Sequence, residues 1–324
     1  MSDAVFLTGA TGFVGGHVLR ELTAAGYRVR ALVRGGAALV GAQPVPGDLE
    51  EVGAFARALD GCRYLVHCAA LYSFAPADRA RMRRVNVAGT AALLEAARVA
   101  GVERAVVTSS ASTVGPSRDG RPVDERSIPP AHDAPSSYHA SKREQERAAL
   151  AARVPVVLLL PTAPVGPGDA SPTPTGRVVL DFARGRMVAL PPRGGMNLVP
   201  VEDVARAHVR ALVGGRPGER YLLGGENLML DDVWALLADV TGVALPRLRV
   251  PDAAILAAAY VDEARCRLFP RVQPFVPLEG ARMASDLMFV DSAKAGAELG
   301  HRPGPVRAAL ERAVAWYRAR GDAA

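Results

Sequence analysis

Lysine is nearly absent from this chain. Lysine and arginine together number 39 in 324 residues, yet only Lys142 and Lys294 are lysine. A sequence that writes arginine almost everywhere has kept a lysine four residues after Tyr138, which asks what that position requires. Cysteine is also scarce: Cys62, Cys68 and Cys266 form no CxxC pair and no Cys/His cluster. This excludes a disulfide framework and a zinc site, predicts no metal, and points to a reducing compartment. Long apolar runs are missing too; "AAILAAAYV" at 253–261, the longest in the C-terminal half, is too short to span a bilayer. Despite a formal charge of +6, no block of five like charges occurs. That excludes a nucleic-acid-binding arm and leaves room for a basic groove facing an anionic cofactor or substrate. The first residues run into "AVFLTGATGFVGG" without a basic leader or cleavage site, so a cytoplasmic protein is expected.

What is present is a chain that is 49% hydrophobic and 22% charged, suited to one large domain or two. Its first half alternates short β-branched runs with alanine-rich helical stretches. Strands are expected at "AVFLTG", "RVRALVR", "CRYLVHCAA", "RAVVTSSA" and "PVVLLLPT"; helices are expected at "FVGGHVLRELTAAG", "LEEVGAFARALDG", "NVAGTAALLEAARVAG" and "SKREQERAALAA". Repeated strand–helix–strand units predict an α/β, doubly wound parallel (Rossmann) sheet, with ligands beyond the carboxyl ends of its strands. Residues 1–165 read as the dinucleotide-binding domain. From 166 to 324 the texture changes to a smaller C-terminal substrate lobe, with segments around 196–224 returning to the first domain. The chain ends in an amphipathic helix with Val306, Leu310 and Val314 on one side.

"TGATGFVG" sets Gly9, Gly12 and Gly15 between the first strand and first helix. Glycines there permit a tight turn and let backbone approach a pyrophosphate at the helix N-terminus. The end of the second strand reads "ALVRGG" and lacks the acid that holds a ribose 2′-hydroxyl in NAD sites. Arg34, helped by Arg30 or Arg28, suits a 2′-phosphate, so NADP(H) is favoured over NAD(H). Asp48 is placed either to reach the adenine edge or to cap a helix starting at Leu49.

Tyr138 and Lys142 share one helix face. Tyrosine ionises near 10, too high for a base at neutral pH, and a nearby cation lowers that value. Lysine is a compact charge on a flexible stem that also holds a cofactor ribose, where a planar guanidinium fits poorly. Ser110, in "VVTSSAS" at the end of the fourth strand, is the expected ligand of the reacting oxygen, with Ser109 and Ser112 as alternates. A YxxxK spacing alone is common; downstream of a strand-end serine cluster and a glycine loop it becomes specific.

Together, "TGATGFVG", "GDL", "HCAA", "VNVAGT", "TSSAS", "YHASK" and "NLVPVEDVA" resemble the extended short-chain dehydrogenase/reductase family over nearly the whole chain. The resemblance implies Ser110, Tyr138 and Lys142 as catalytic residues. It implies cofactor contacts from Gly9, Thr11, Gly12, Phe13, Val14 and Gly15, and from Arg34, Asp48 and Leu49. Further contacts would come from Ala69, Ala70, Asn86, Thr108, Tyr138, Lys142, Pro161, Thr162 and Ala163, with Asn86 also steadying the central strands. It implies a homodimer through the 87–100 and 139–152 helices. Two subfamilies compete. "VRALVR" and "TSSAS" are similar to dihydroflavonol reductase-like enzymes; "NLVPVEDVA" and "GERYLLGGENL" are closer to hopanoid-associated sugar epimerases. "LLLP" stands where many nucleotide-sugar epimerases have Arg-Pro, which weakens the sugar-nucleotide reading.

The favoured expectation is an NADP(H)-dependent oxidoreductase passing hydride to or from a carbonyl or secondary alcohol of a small molecule; the alternative is an epimerase on a nucleotide sugar or hopanoid-linked polyol. Arg177, Arg184, Arg186, Arg193 and Arg282 are available for a diphosphate, but arginine is abundant here. "PDAAILAAAYVDEARCRLFP" is expected as core, or else as the wall of an apolar pocket. His139 is read as a neighbour of Tyr138 and Cys68 as a small buried apolar residue.

Overall fold

The structure is a computed structural model that describes residues 3–35, 39–73, 76–129, 137–191, 193–269, 272, 278–283 and 285–323. Residues 270, 271 and 273–277 lie outside that set, Pro270 closing the "PDAAILAAAYVDEARCRLFP" stretch among them. The first six strands, all in the large sheet, are β1 (Ala4–Thr8), β2 (Arg28–Val33), β3 (Ala42–Pro46), β4 (Tyr64–His67), β5 (Arg104–Thr108) and β6 (Val156–Pro161). Next come the short β7 (Ala163–Val165), β8 (Ala189–Leu190) and β9 (Gly195–Pro200), then β10 (Arg220–Leu223), β11 (Glu226–Met229), β12 (Leu248–Arg249) and β13 (Leu287–Met288). The helices are α1 (Phe13–Ala24), α2 (Arg79–Arg83), α3 (Thr90–Val99), α4 (Ser137–Leu150), α5 (Pro174–Ala183) and α6 (Val201–Gly214). They continue with α7 (Leu230–Thr241), α8 (Asp252–Leu268), α9 (Leu278–Met283), α10 (Ala293–Leu299) and α11 (Val306–Ala319).

Seven strands run in the order β10-β6-β5-β4-β1-β2-β3, and all their pairings are parallel. A parallel sheet must be covered on both faces, which is why β6 reads as an uninterrupted apolar run, buried throughout. Phe6, Leu65, Leu93, Leu94, Val107 and Leu158 share the core on one face. Val5, Leu7, Val18, Leu22, Val106 and Leu159 share the core on the other, under α1 and α6. A third core gathers Val165, Phe182, Trp234, Leu310, Val314 and Tyr317 from the second half of the chain, and α11 supplies its expected apolar side.

Three sequence expectations change. The stretch after "GDL" is not one helix: Leu49–Ala54 and Ala56–Leu59 are separate 3₁₀ turns, broken at Glu51, whose φ/ψ of −135°/54° is not helical. Gly53 lies inside the stretch, and Phe55 stacks on Phe6 with ring centroids 5.9 Å apart, so packing takes precedence over helical continuity. Of the 196–224 region, β10 and α6 join the large sheet, but β9 is the middle strand of a small sheet with β11, β13 and β7. In α8, only Ala259, Asp262 and Cys266 are buried; Tyr260, Val261 and Leu268 stand exposed, so the helix is not core.

Candidate active site

The carboxyl ends of β1, β4, β5 and β6 bring four loops to one edge of the sheet. After β1, Gly9 has φ +81°, and a Cβ there would stand 2.7 Å from the Ala69 backbone nitrogen. A Cβ on Gly15 would stand 2.1 Å from the Gly9 carbonyl oxygen. These two glycines let α1 sit on the loop and the loop sit on the end of β4. Gly12 caps α1 without a side-chain hydrogen bond, and the first turn carries no acid. The positive end of α1 is therefore uncompensated, and Thr11, Phe13 and Val14 surround it, a cradle that fits a pyrophosphate.

Arg34 follows β2 at this edge and is exposed, with no acidic neighbour in the chain before Asp48. Its proposed helpers lie elsewhere. Arg30 donates to the carbonyls of Ala58 (2.9 Å) and Asp60 (2.7 Å), and Arg28 opens β2 at the opposite edge, beside Ala4. Asp48 accepts from the Glu50 amide at 3.0 Å, so its carboxylate serves as the cap; Leu49 is buried. Asn86 likewise faces the protein. It accepts from Leu71 N (2.7 Å) and donates to Leu71 O (2.9 Å) and Ser141 Oγ (3.2 Å), clamping from below the loop that carries Ala69 and Ala70. These bonds give Asn86 the steadying role the resemblance implies for it. Thr162 donates to Asn197 Oδ1 (2.8 Å), holding the Pro161–Thr162–Ala163 turn at the end of β6.

The serines separate by partner. Ser109 donates to Glu146 Oε1, which Thr113 also reaches at 2.8 Å, so Ser109 is occupied. Ser110 accepts from Ser112 N at 3.2 Å, and its hydroxyl acts on the Tyr138 phenol in the direction that favours the phenolate. Lys142 Nζ lies 6.0 Å from the Tyr138 ring centroid and donates to the Thr108 carbonyl (2.9 Å) and to Gln145 Oε1 (2.7 Å). The structure thus brings Ser110, Tyr138 and Lys142 together beside the glycine loop's neighbour strands. One electrostatic expectation is not met: burial pushes the Tyr138 phenol up to about 12, and Ser110 only partly offsets this. Burial also pushes Lys142 down to about 8, against the pull of Glu146 and Cys68. Both groups resist their charged forms.

Cys68 is an inert thiol pushed up to about 11 by burial and accepting from Thr108 Oγ1 at 3.3 Å. The His139 ring lies edge-on to Tyr138, 6.1 Å between centroids. Of the arginines considered for a diphosphate, Arg184 is committed to the Asp322 carbonyl and Arg282 leans on Tyr260. Among the described residues, no group of three or more His, Cys, Asp or Glu side chains is arranged to hold a metal. Two site residues escaped sequence reasoning. Tyr72 packs edge-on against Tyr138, centroids 4.2 Å apart, from a loop without any periodic signal. Gln145 was legible, since it stands three residues after Lys142 on the same helix face.

A Rossmann sheet with this serine, tyrosine and lysine at its carboxyl edge defines a nucleotide-dependent short-chain oxidoreductase class. The chain belongs to the NAD-dependent epimerase/dehydratase family, the extended short-chain dehydrogenase/reductases, whose description matches residues 5–224. It is 38% identical to a putative dihydroflavonol 4-reductase of Synechocystis sp., over 99% of this chain and 96% of that protein. It is 37% identical to sterol demethylase protein B of Methylococcus capsulatus, over 97% of this chain and 98% of that one. The crystal structure of gox2253 superposes with a TM-score of 0.87, at 38% identity and full coverage of both chains.

Proposed function

We propose that this protein is an NADP(H)-dependent reductase of a carbonyl on a predominantly apolar small molecule. The observation that carries the reading is the gathering of half-buried Ser110 and Tyr138 with buried Lys142 at the carboxyl edge of the sheet. The nicotinamide, when bound, supplies the hydride. Gly9, Gly12 and Gly15 with the N-terminus of α1 hold the pyrophosphate, and Ala69, Ala70 and the 161–163 turn flank the rest. Ser110 orients the substrate oxygen, Tyr138 gives it a proton, and the Lys142 ammonium stabilises the phenolate left behind. Arg34 at the end of β2, without an acid beside it, supports the preference for a 2′-phosphate.

The apolar substrate class is supported by the exposed Tyr72 ring against Tyr138, by the scattered arginines, and by a relative named for sterol demethylation. Residues 1–165 with β10 and α6 form the cofactor half in this reading, and the remainder of 166–324 the substrate lobe. A homodimer through α3 and α4 is supported by exposed Val99 and Leu150 on those helices. Three free cysteines support a cytoplasmic location; no helix among the described residues is long and apolar enough to cross a membrane.

The second reading is an epimerase on a nucleotide sugar or hopanoid-linked polyol that retains its cofactor, favoured by the family description itself. Purified protein separates the two. Stoichiometric loss of NADPH absorbance with a steroid or long-chain ketone is expected; tightly held NAD(H) with no net turnover of added NADPH contradicts the reductase.

A further inference from the structure

We propose that Gln145 is a positioning residue: its neutral carboxamide holds Lys142 in place while leaving the lysine's charge uncompensated for Tyr138. The proposal deepens the reductase reading and rests on it for the role of Lys142. Lys142 and Gln145 are 2% and 1% exposed, so their hydrogen bonds form without competing water. Gln145 Nε2 donates to Thr90 Oγ1 at 2.9 Å, while Oε1 accepts from Lys142 Nζ.

The hydrogens of this network can be assigned from valence alone. The Thr90 hydroxyl donates its one hydrogen to the Asn86 carbonyl at 2.7 Å, so toward Gln145 and His67 it can only accept. Gln145 must then present its NH₂ to Thr90 and its oxygen to the lysine. His67 must carry its proton on Nε2, 2.8 Å from Thr90 Oγ1. Its Nδ1 then accepts from the Thr8 hydroxyl at 2.7 Å, and Thr8 Oγ1 accepts from the Ala69 amide at 3.2 Å. The lysine is thereby tied through Gln145, Thr90, His67 and Thr8 to the strand ends that flank the cofactor cradle.

The choice of glutamine has an electrostatic consequence. A glutamate at 145 would accept from Lys142 equally well but would cancel its charge. The nearest existing carboxylate, Glu146, is engaged by Ser109, Thr113 and Arg220 instead. The titratable groups facing Lys142 are Tyr138 and Glu146 from its own helix, His67 from β4 and Cys68 just after it. His67 is held neutral, pushed down to about 3 by burial and by the lysine's charge. Among the described residues Lys142 spends two of its three N–H groups, on Thr108 and Gln145.

Because the chain has only two lysines, ε-¹³C lysine NMR gives two signals, and Lys142→Met assigns them. The titration is read without cofactor or substrate, so it does not depend on the reaction being a reduction. Gln145→Glu is expected to raise the Lys142 midpoint by about one pH unit or more. Gln145→Leu is expected to lower it, since a bond favouring the charged form is lost. Thr90→Val, which frees the carboxamide, is expected to move it in the same direction as Gln145→Leu, and Thr90→Ser to restore it; this pair serves if Gln145→Leu does not fold. With NADPH and ketone, Gln145→Glu is expected to lower kcat about tenfold with KM for NADPH nearly unchanged. A Lys142 midpoint that stays at its wild-type value in folded Gln145→Glu and Thr90→Val overturns the proposal, whatever the activity of either.

Discussion

Lys142 on α4 and Lys294 on α10 each sit beside a tyrosine, Tyr138 on α4 and Tyr221 on β10, and they do different things. Lys294 lies 4.7 Å over the face of Tyr221 and is ion-paired with Glu219 at 2.6 Å, at the amino end of β10. The Tyr221 hydroxyl donates to Glu298 Oε2 (2.6 Å) and accepts from Arg216 N (3.1 Å), so every polar atom has a protein partner. Lys142 lies at the carboxyl end of β5, held by a backbone carbonyl and a carboxamide, with no ion pair among the described residues. Its tyrosine is influenced by a serine rather than a carboxylate. A lysine next to a tyrosine is therefore not a site. What separates the two is the edge of the sheet they occupy and whether the cation's charge is already cancelled.

Tyrosine removal should break the symmetry most sharply. Tyr138→Phe is expected to lower the reduction rate by about 10²–10⁴-fold. Tyr221→Phe should leave the rate unchanged and cost about 1–3 kcal/mol of stability, because Glu298 loses a buried partner; rate assays and urea melts on both variants read this out. The lysines come next. Lys142→Met is expected to cost about 100-fold in rate and to weaken NADPH binding. Lys294→Met should cost only about 1 kcal/mol of stability. The same criterion, a cation left uncompensated at the carboxyl edge, selects Arg34. Arg34→Ala should weaken NADPH about tenfold and NADH hardly at all, measured by fluorescence titration. The smallest effect is with pH. Below about 8 the Lys142 ammonium is present to stabilise the phenolate that forms as Tyr138 gives up its proton; above that it is lost. The reduction rate should be level from pH 6 to about 7.5 and fall as pH rises past about 8.

Much of this contrast was legible in the sequence at one edge only. The glycine loop, the strand-end serines and the YxxxK spacing are local patterns, and local patterns specify which residues gather where a parallel sheet's strands end. Partners distant in sequence were not legible. That Glu146 occupies Ser109, that Arg30 turns to Ala58 and Asp60, and that Asn86 clamps Leu71 depend on packing between elements tens of residues apart. The Lys294–Tyr221 pair depends on α10 meeting β10, which no periodicity announces. The apolar stretch in α8 was misread because burial follows from what covers a helix, and composition alone does not say what does.

The most direct test uses NADPH deuterated at both C4 positions with a steroid or long-chain ketone. Reduction moves deuteride from C4 to the carbonyl carbon and a proton from Tyr138 to the oxygen. The expected result is one deuterium in each product alcohol, one NADPH consumed per product, and product formed about 10²–10⁴-fold more slowly by Tyr138→Phe. Tightly bound NAD(H) in the isolated protein, no net consumption of added NADPH and no label in any alcohol would contradict it.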